Sequence, residues 1–263
     1  MGIETLADAA GFTQTADIVA ASGGVLGGVT CPVPRLLDLL KVFFDAADAR
    51  GLEVDFHVDE TLDPASNTLR AIAKMVLARG FERPVTVGHL CSLSAMPEAE
   101  ALATLDLVAR AGINVVSLPL CNLYLQDRHA ARTPRLRGIP LVHEMKARGI
   151  NVSFASDNTR DPFHADGDLD MLQGMCKATP IGHLDHADPD WTAAFPKNPA
   201  RACGFAAPGL APGSAADLVI CRARRWTELF SRPQSDRIVR RGGVAIDRTL
   251  PDYSELDHLI RTA

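Results

Sequence analysis

Between residues 16 and 160, short apolar runs rich in β-forming residues alternate with longer stretches whose apolar positions recur every three or four residues. The short runs predict strands at residues 16–21, 53–57, 85–89, 114–118 and 151–155. The longer stretches predict helices over residues 35–50, 68–79, 97–111 and 140–148. In the first of them Leu36, Leu37, Leu40, Phe43, Phe44 and Ala47 share one side. Each helix runs into a glycine, Gly51, Gly80, Gly112 or Gly149, with the next strand close behind. That rhythm predicts βα units on a parallel sheet. Further helical stretches begin at Asp168 and Asp190, and the turn-rich run from Ala207 to Ser214 then marks a boundary. Beyond it, strands are predicted at 216–221 and 238–246, the second broken by the hairpin signal Gly242-Gly243. The expected organisation is a βα domain over residues 1–206 and a small β element over 207–263.

Composition narrows the class. Of 263 residues, 47% are hydrophobic and 22% charged, the balance of a globular protein with a large core. The net charge of −5, with both signs interspersed, offers no basic footprint for nucleic acid and no polybasic patch for a membrane surface. A small neutral or polar molecule is the expected partner. Six cysteines stand singly without CxxC pairs, so reduced thiols are expected. The first residues have no basic start, and no apolar run reaches the ~18 residues of a membrane helix. A soluble cytoplasmic protein is the expectation.

Candidate chemistry sits where strands end. The run Val54 to Glu60 closes on His57, Asp59 and Glu60, the run from Val85 closes on His89, and the run from Asn151 reaches Asp157. If the sheet curls toward a barrel, His57, His89 and Asp157 face one mouth with Glu60 at its lip, on the face where βα barrels carry their active sites. One histidine at a strand end is more often a hydrogen-bonded structural residue than a ligand, but three such endings in register favour a site. Glu60 can be read as a proton shuttle, a solvated loop acid or a helix cap. His183 and His186, near Asp185 and Asp188, read as a polar loop. Gly23-Gly24 with Gly27-Gly28 lacks the GxGxxG order and reads as a loop. Trp191 and Trp226 read as packing residues.

Several runs together resemble the bacterial cytosine deaminases of the amidohydrolase superfamily. They are His57-Val58-Asp59-Glu60, the strand ending in His89, Pro119 to Arg128, Arg137-Gly138-Ile139-Pro140, and Ser156 to Phe163. The tail Pro212 to Ile220, with Val239 to Gly243, is similar to the closing β-sandwich of the superfamily. The resemblance implies a (β/α)8 TIM-barrel fold, here incomplete at about five βα units, with a small C-terminal β-sandwich element. It implies one divalent metal, Fe2+ or Zn2+, with His57 and Asp157 as ligands. Glu60 would carry protons between water and a ring nitrogen and contact the substrate, and His89 and Asp157 would orient and activate the water. The implied reaction is hydrolytic deamination of cytosine or a related nitrogen heterocycle, releasing ammonia.

Two departures from that pattern shape the expectations. No His-x-His pair, which in the family ends the first barrel strand and supplies two ligands, occurs in this sequence. With five strands where a barrel has eight, a missing N-terminal segment or pairing into a homo-oligomer is expected. An inactive or complementing subunit is the rival reading. Second, Asp157-Asn158 and Phe163 stand where cytosine deaminases carry two aspartates and a later tryptophan. Asn158 is either a substrate contact or a turn residue, and Phe163 a substrate contact or a packing aromatic. Either change leaves room for another ring, including an N-alkyl triazine or cyclic amide.

Overall fold

The structure is a computed structural model that describes residues 1–136, 138–186, 189–232 and 236–260. Arg137, part of the resemblance above, and Asp188 lie outside the described residues. The chain divides into two compact units, Met1–Ala207 and Pro208–Ala263.

The first unit is built on five parallel strands: β1 (Leu26–Thr30), β2 (Val54–Val58), β3 (Val85–His89), β4 (Asn114–Ser117) and β5 (Val152–Phe154). They pair in sequence order, Val54 beside Val85 and Val58 beside His89, so consecutive strands end side by side. Helices α1 (Ala9–Ala21), α2 (Leu36–Arg50), α3 (Thr68–Arg79), α4 (Glu98–Arg110), α5 (Pro119–Leu125), α6 (Val142–Ala147), α7 (Met171–Gly182) and α8 (Lys197–Ala202) complete the unit. Of the stripe expected on α2, Leu40, Phe43, Phe44 and Ala47 are buried, whereas Leu37 is 60% exposed. It meets the sheet at Phe56, whose ring centroid lies 4.6 Å from that of Phe43. Leu69, Ile72 and Val76 of α3 and Leu105 and Val108 of α4 extend the same core. At roughly 2 kcal/mol for each large apolar side chain buried, this layer is the main source of stability. Gly51 and Gly80 end α2 and α3 with φ of 65° and 61°, the left-handed turn that returns the chain to the sheet.

The opposite face of the sheet is bare at one side. In β1 and β2 burial alternates, and Gly27, Val29, Asp55 and His57 are exposed.

One predicted strand is replaced. Residues 16–21 belong to α1, which Asp8 caps by accepting a hydrogen bond from Gly11 N at 3.1 Å. Only Phe12 and Ala16, four residues apart, are buried, and Gln14 between them is exposed, which fits the face of a helix and not the alternation of a strand. The strand itself is Leu26–Thr30, in the glycine run that reads as a loop. Gly28 is needed there: a Cβ on it would lie 3.1 Å from Phe43 Cε2 and 3.3 Å from the Phe56 ring.

The second unit holds an antiparallel sheet of β6 (Leu218–Ile220), β7 (Ile238–Arg241) and β8 (Val244–Ala245). The β7–β8 turn falls on Gly242 and Gly243, both with positive φ, as the hairpin signal requires. Among the described residues this is one sheet layer. Trp226 stacks on Phe230 at 5.8 Å, whereas Trp191 is buried in the first unit against Phe154.

Candidate active site

At the ends of β2, β3 and β5 the backbone turns in the same unusual way. Asp59, His89 and Asp157 have φ of 48°, 75° and 64°, a region that residues other than glycine rarely occupy. Such strain persists only where the surroundings enforce it. Beneath the first exit the enforcement is visible. Asp59, 2% exposed, accepts hydrogen bonds on Oδ1 from Ser66 Oγ, Thr68 N and Thr68 Oγ, and on Oδ2 from Leu69 N at 3.0 Å. The carboxylate thus caps the start of α3 and pins the loop that carries Glu60.

Above that support lies a connected polar group. His57 Nδ1 and His89 Nε2 are 2.9 Å apart. The other His89 nitrogen, Nδ1, lies 3.0 Å from Asn122 Nδ2, which also donates to Glu60 Oε1 at 3.4 Å. Gln126 Nε2 donates to the Glu60 carbonyl at 3.3 Å. Asn122 and Gln126 are four residues apart on and just after α5, so they reach the same side. Pro119 opens that helix at its first turn, where a missing N–H costs nothing.

Electrostatics divide the labour. Burial, reinforced by the negative charge of Asp157, pushes Glu60 up to about 7. Burial of His89 outweighs the pull of Asp157 and, with His57 alongside, lowers it to about 4, so its ring is neutral near pH 7. Burial, then the neighbouring Asp157 carboxylate, push the Cys121 thiol up to about 12, which keeps it protonated. Cys121 Sγ donates to Asn158 Oδ1 at 3.4 Å.

Among the described residues, two groups of side chains have ligand atoms within 4.8 Å of one another: His57, Glu60 and His89, and Glu60, Cys121 and Asp157. Glu60 joins them. Asp157 Oδ2 is buried without a hydrogen-bond partner, an acceptor that a cation or a proton would satisfy. With Cys121 protonated, the donors left are two imidazoles and two carboxylates, a set that suits a borderline divalent metal.

The structure therefore brings His57, Glu60, His89 and Asp157 to one mouth. Asn158 sits at a turn beside it, its Nδ2 donating to Asp161 Oδ2 at 2.6 Å, while Asp161 Oδ1 accepts from Phe163 N and His164 N. Phe163 is 58% exposed on the same loop. His183 lies elsewhere, as the left-handed cap of α7. The capping role of Asp59 and the contacts of Asn122, Gln126 and Cys121 have no pattern in the sequence that announces them, beyond the four-residue spacing of Asn122 and Gln126 after Pro119.

The amidohydrolase family profile matches residues 10–248. Over 259 residues the chain is 50% identical to a pterin deaminase of Rhizobium rhizogenes, covering 98% of this chain and 59% of that protein. The crystal structure of 5-methylcytosine deaminase from Klebsiella pneumoniae liganded with phosphonocytosine superposes with a TM-score of 0.76 at 26% identity, covering 91% of this chain and 60% of that one. For N-isopropylammelide isopropylaminohydrolase of Burkholderia multivorans the TM-score is 0.63 at 26% identity, covering 88% and 58%. The chain thus spans about three fifths of the length of these relatives. Its five βα units are part of the TIM-barrel fold that they share, and the chain belongs to the amidohydrolase family.

Proposed function

We propose that this chain carries the proton-transfer half of a hydrolytic deaminase acting on a nitrogen heterocycle with an exocyclic amino group. The observation that carries the reading is the convergence of His57, Glu60, His89 and Asp157 at the ends of the parallel strands β2, β3 and β5, in a chain 50% identical to a pterin deaminase. That identity, against 26% for the 5-methylcytosine deaminase, makes a pterin the first ring to test and cytosine the second. Asn158 and Phe163, at the positions where cytosine deaminases differ, support the same order.

A divalent metal, Fe2+ or Zn2+, held by His57 and Asp157 would polarise water and lower its pKa toward neutrality. The chain's own groups do the rest. Glu60, near 7, takes a proton from the attacking water and returns it to a ring nitrogen, and a group poised at the working pH does both well. His89 is held at Nδ1 by Asn122, and its Nε2, which lies 2.9 Å from His57 Nδ1, would turn to the water once His57 holds the cation. Asp157 Oδ2 has an acceptor to spare for the same water. Asn158 and Phe163 line the approach of the ring.

Completion of the barrel by further strands, from a longer chain, a second polypeptide or a second copy, belongs to this proposal. It is supported by the bare face at Gly27, Val29, Asp55 and His57 and by the coverage of the relatives. The test is ammonia release from pterin, cytosine and an N-alkylamino triazine. It uses this chain, and the chain lengthened to that of the pterin deaminase, each loaded with Zn2+ or Fe2+. Ammonia from pterin is expected. An alkylamine from the triazine, or no product from any ring with a folded, metal-loaded longer chain, would overturn the reading.

A further inference from the structure

The Asn158 side chain is held at both ends, and the two ends differ. Its Nδ2 donates to Asp161 Oδ2 at 2.6 Å, while its Oδ1 lies 3.4 Å from Cys121 Sγ, an atom that shares the mouth with Glu60 and Asp157. Asp161 decides which end goes where. Its other oxygen accepts from Phe163 N at 3.0 Å and His164 N at 2.9 Å, and the His164 N–H, then the Asn158 amide, hold the acid below the ordinary carboxylate range. Ionised, it can only accept. Turned over, the Asn158 amide would set its oxygen 2.6 Å from a carboxylate oxygen, so the nitrogen stays on the loop side and the oxygen on the mouth side. The main chain is held as well. His164 Nδ1 donates to the Asn158 carbonyl at 3.2 Å, and a Cβ on Gly167 would collide with that same carbonyl oxygen.

Resting on the deaminase reading above, we infer that Asp161 is a positioning residue that makes Asn158 an acceptor toward the substrate, so that the mouth selects a ring with an N–H beside its amino-bearing carbon. An amide oxygen has two lone pairs, and the Cys121 contact leaves one of them for the ring. A ring N–H satisfies that lone pair, whereas a bare ring nitrogen would face it lone pair to lone pair. The proposed reaction fits a ring of this kind. Where the amino carbon stands between two ring nitrogens, Glu60 delivers its proton to the bare one and Asn158 holds the one that already carries hydrogen. A 2-amino-4-oxo ring such as that of pterin has this edge. Cytosine lacks it, because its amino carbon has a ring nitrogen on one side only.

The probes are pterin and 3-methylpterin, in which a methyl group replaces the ring N–H hydrogen. Their affinities are read by pterin fluorescence on the metal-loaded Glu60→Gln protein, at both lengths tested above, so that binding is seen without turnover. Pterin is expected to bind about tenfold more tightly than 3-methylpterin. Asp161→Asn has the same shape, keeps an oxygen for Phe163 N and His164 N, and turns its nitrogen to Asn158. The Asn158 amide must then turn over and show the mouth a donor. The preference is expected to shrink to about twofold or less, with the melting midpoint unchanged. Adding Asn158→Asp returns an oxygen to the mouth and is expected to restore the preference. Discrimination by size alone would survive Asp161→Asn, so a preference that persists there would overturn the role of Asp161, as would one that the double variant fails to restore. A protein with Asn158 and Asp161 in place that binds both probes alike, or neither, would overturn the acceptor role of Asn158. Ammonia release is followed in parallel with Glu60 in place: its absence, beside the expected preference, would sink the deaminase reading and leave the role of Asp161 standing.

Discussion

Asp59 and Glu60 leave β2 on consecutive residues and enter opposite surroundings. In the cradle under α3, the Asp59 carboxylate is buried and receives four hydrogen bonds, from Ser66, Thr68 and Leu69. In the mouth, Glu60 is partly buried, receives one long hydrogen bond from Asn122 and shares its space with a second carboxylate, Asp157. The cradle satisfies its charge completely. The mouth leaves charge unsatisfied, at Glu60 and at the orphaned Asp157 Oδ2. The difference teaches that a support and a reagent can be the same functional group one residue apart, distinguished by how many donors the fold aims at each.

The largest effect expected on breaking that contrast is catalytic. Glu60→Gln keeps the shape and removes proton transfer, so ammonia release in the active assembly is expected to drop about 10^2- to 10^4-fold. The melting midpoint should not fall. A variant that retained activity would remove Glu60 from the chemistry. The reverse dissociation is expected at Asp59. Asp59→Ala strands Thr68 N and Leu69 N without their acceptor and should cost about 3 kcal/mol, lowering the melting midpoint by roughly 6–12 °C. Denaturant and thermal unfolding check this, and a change under ~1 kcal/mol would show that water replaces the cap.

How far the sequence alone reaches follows the same division. Strands β2 to β5 fall within one or two residues of their expected places because each is a short apolar run bounded by turn residues. β1 did not, because Gly27 and Gly28 carry a strand whose apolar partners, Phe43 and Phe56, come from other elements. α5 is seven residues long, too short for a periodicity to show. His57, Glu60, His89 and Asp157 stand out because strand ends announce them. Asn122 and Gln126 do not, since their partners lie more than thirty residues away across the mouth of the sheet. Nor does the role of Asp59, whose donors arrive seven to ten residues later.

A smaller effect sharpens the comparison through pH. Glu60 is raised to about 7 in the folded chain, against an ordinary carboxylate value near 4.3. Below about pH 4.3 it is protonated in both states and contributes nothing. Between there and about 7 the unfolded chain releases the proton while the folded chain keeps it, so stability falls as pH rises. Above 7 the penalty is constant. His89, lowered to about 4, acts in the opposite direction and loses stability as pH falls below ~6.5, but this cancels in a difference between variants. The melting midpoint of Glu60→Gln minus that of wild type, measured in a chelator, should therefore grow from pH 4.5 to 7 and then level off. Parallel curves would place Glu60 in ordinary solvent.

The smallest expected effect tests whether the mouth can be shifted from below without touching its groups. Gly28 pairs with Phe56 in the register that sets Val29 beside His57. A methyl at Gly28 would meet the fully buried rings of Phe43 and Phe56 at 3.1–3.3 Å, too close by a few tenths of an ångström. Because α2 holds Phe43 from behind, the strain should pass into the β1–β2 pair. Gly28→Ala is expected to cost about 1 kcal/mol, a drop of roughly 2–4 °C in melting midpoint. The 15N shifts of His57 should move with it while those of His89, one strand further on, stay in place. Movement at both rings would mean that the His57–His89 bond travels as one body and that the mouth is stiffer than the sheet beneath it.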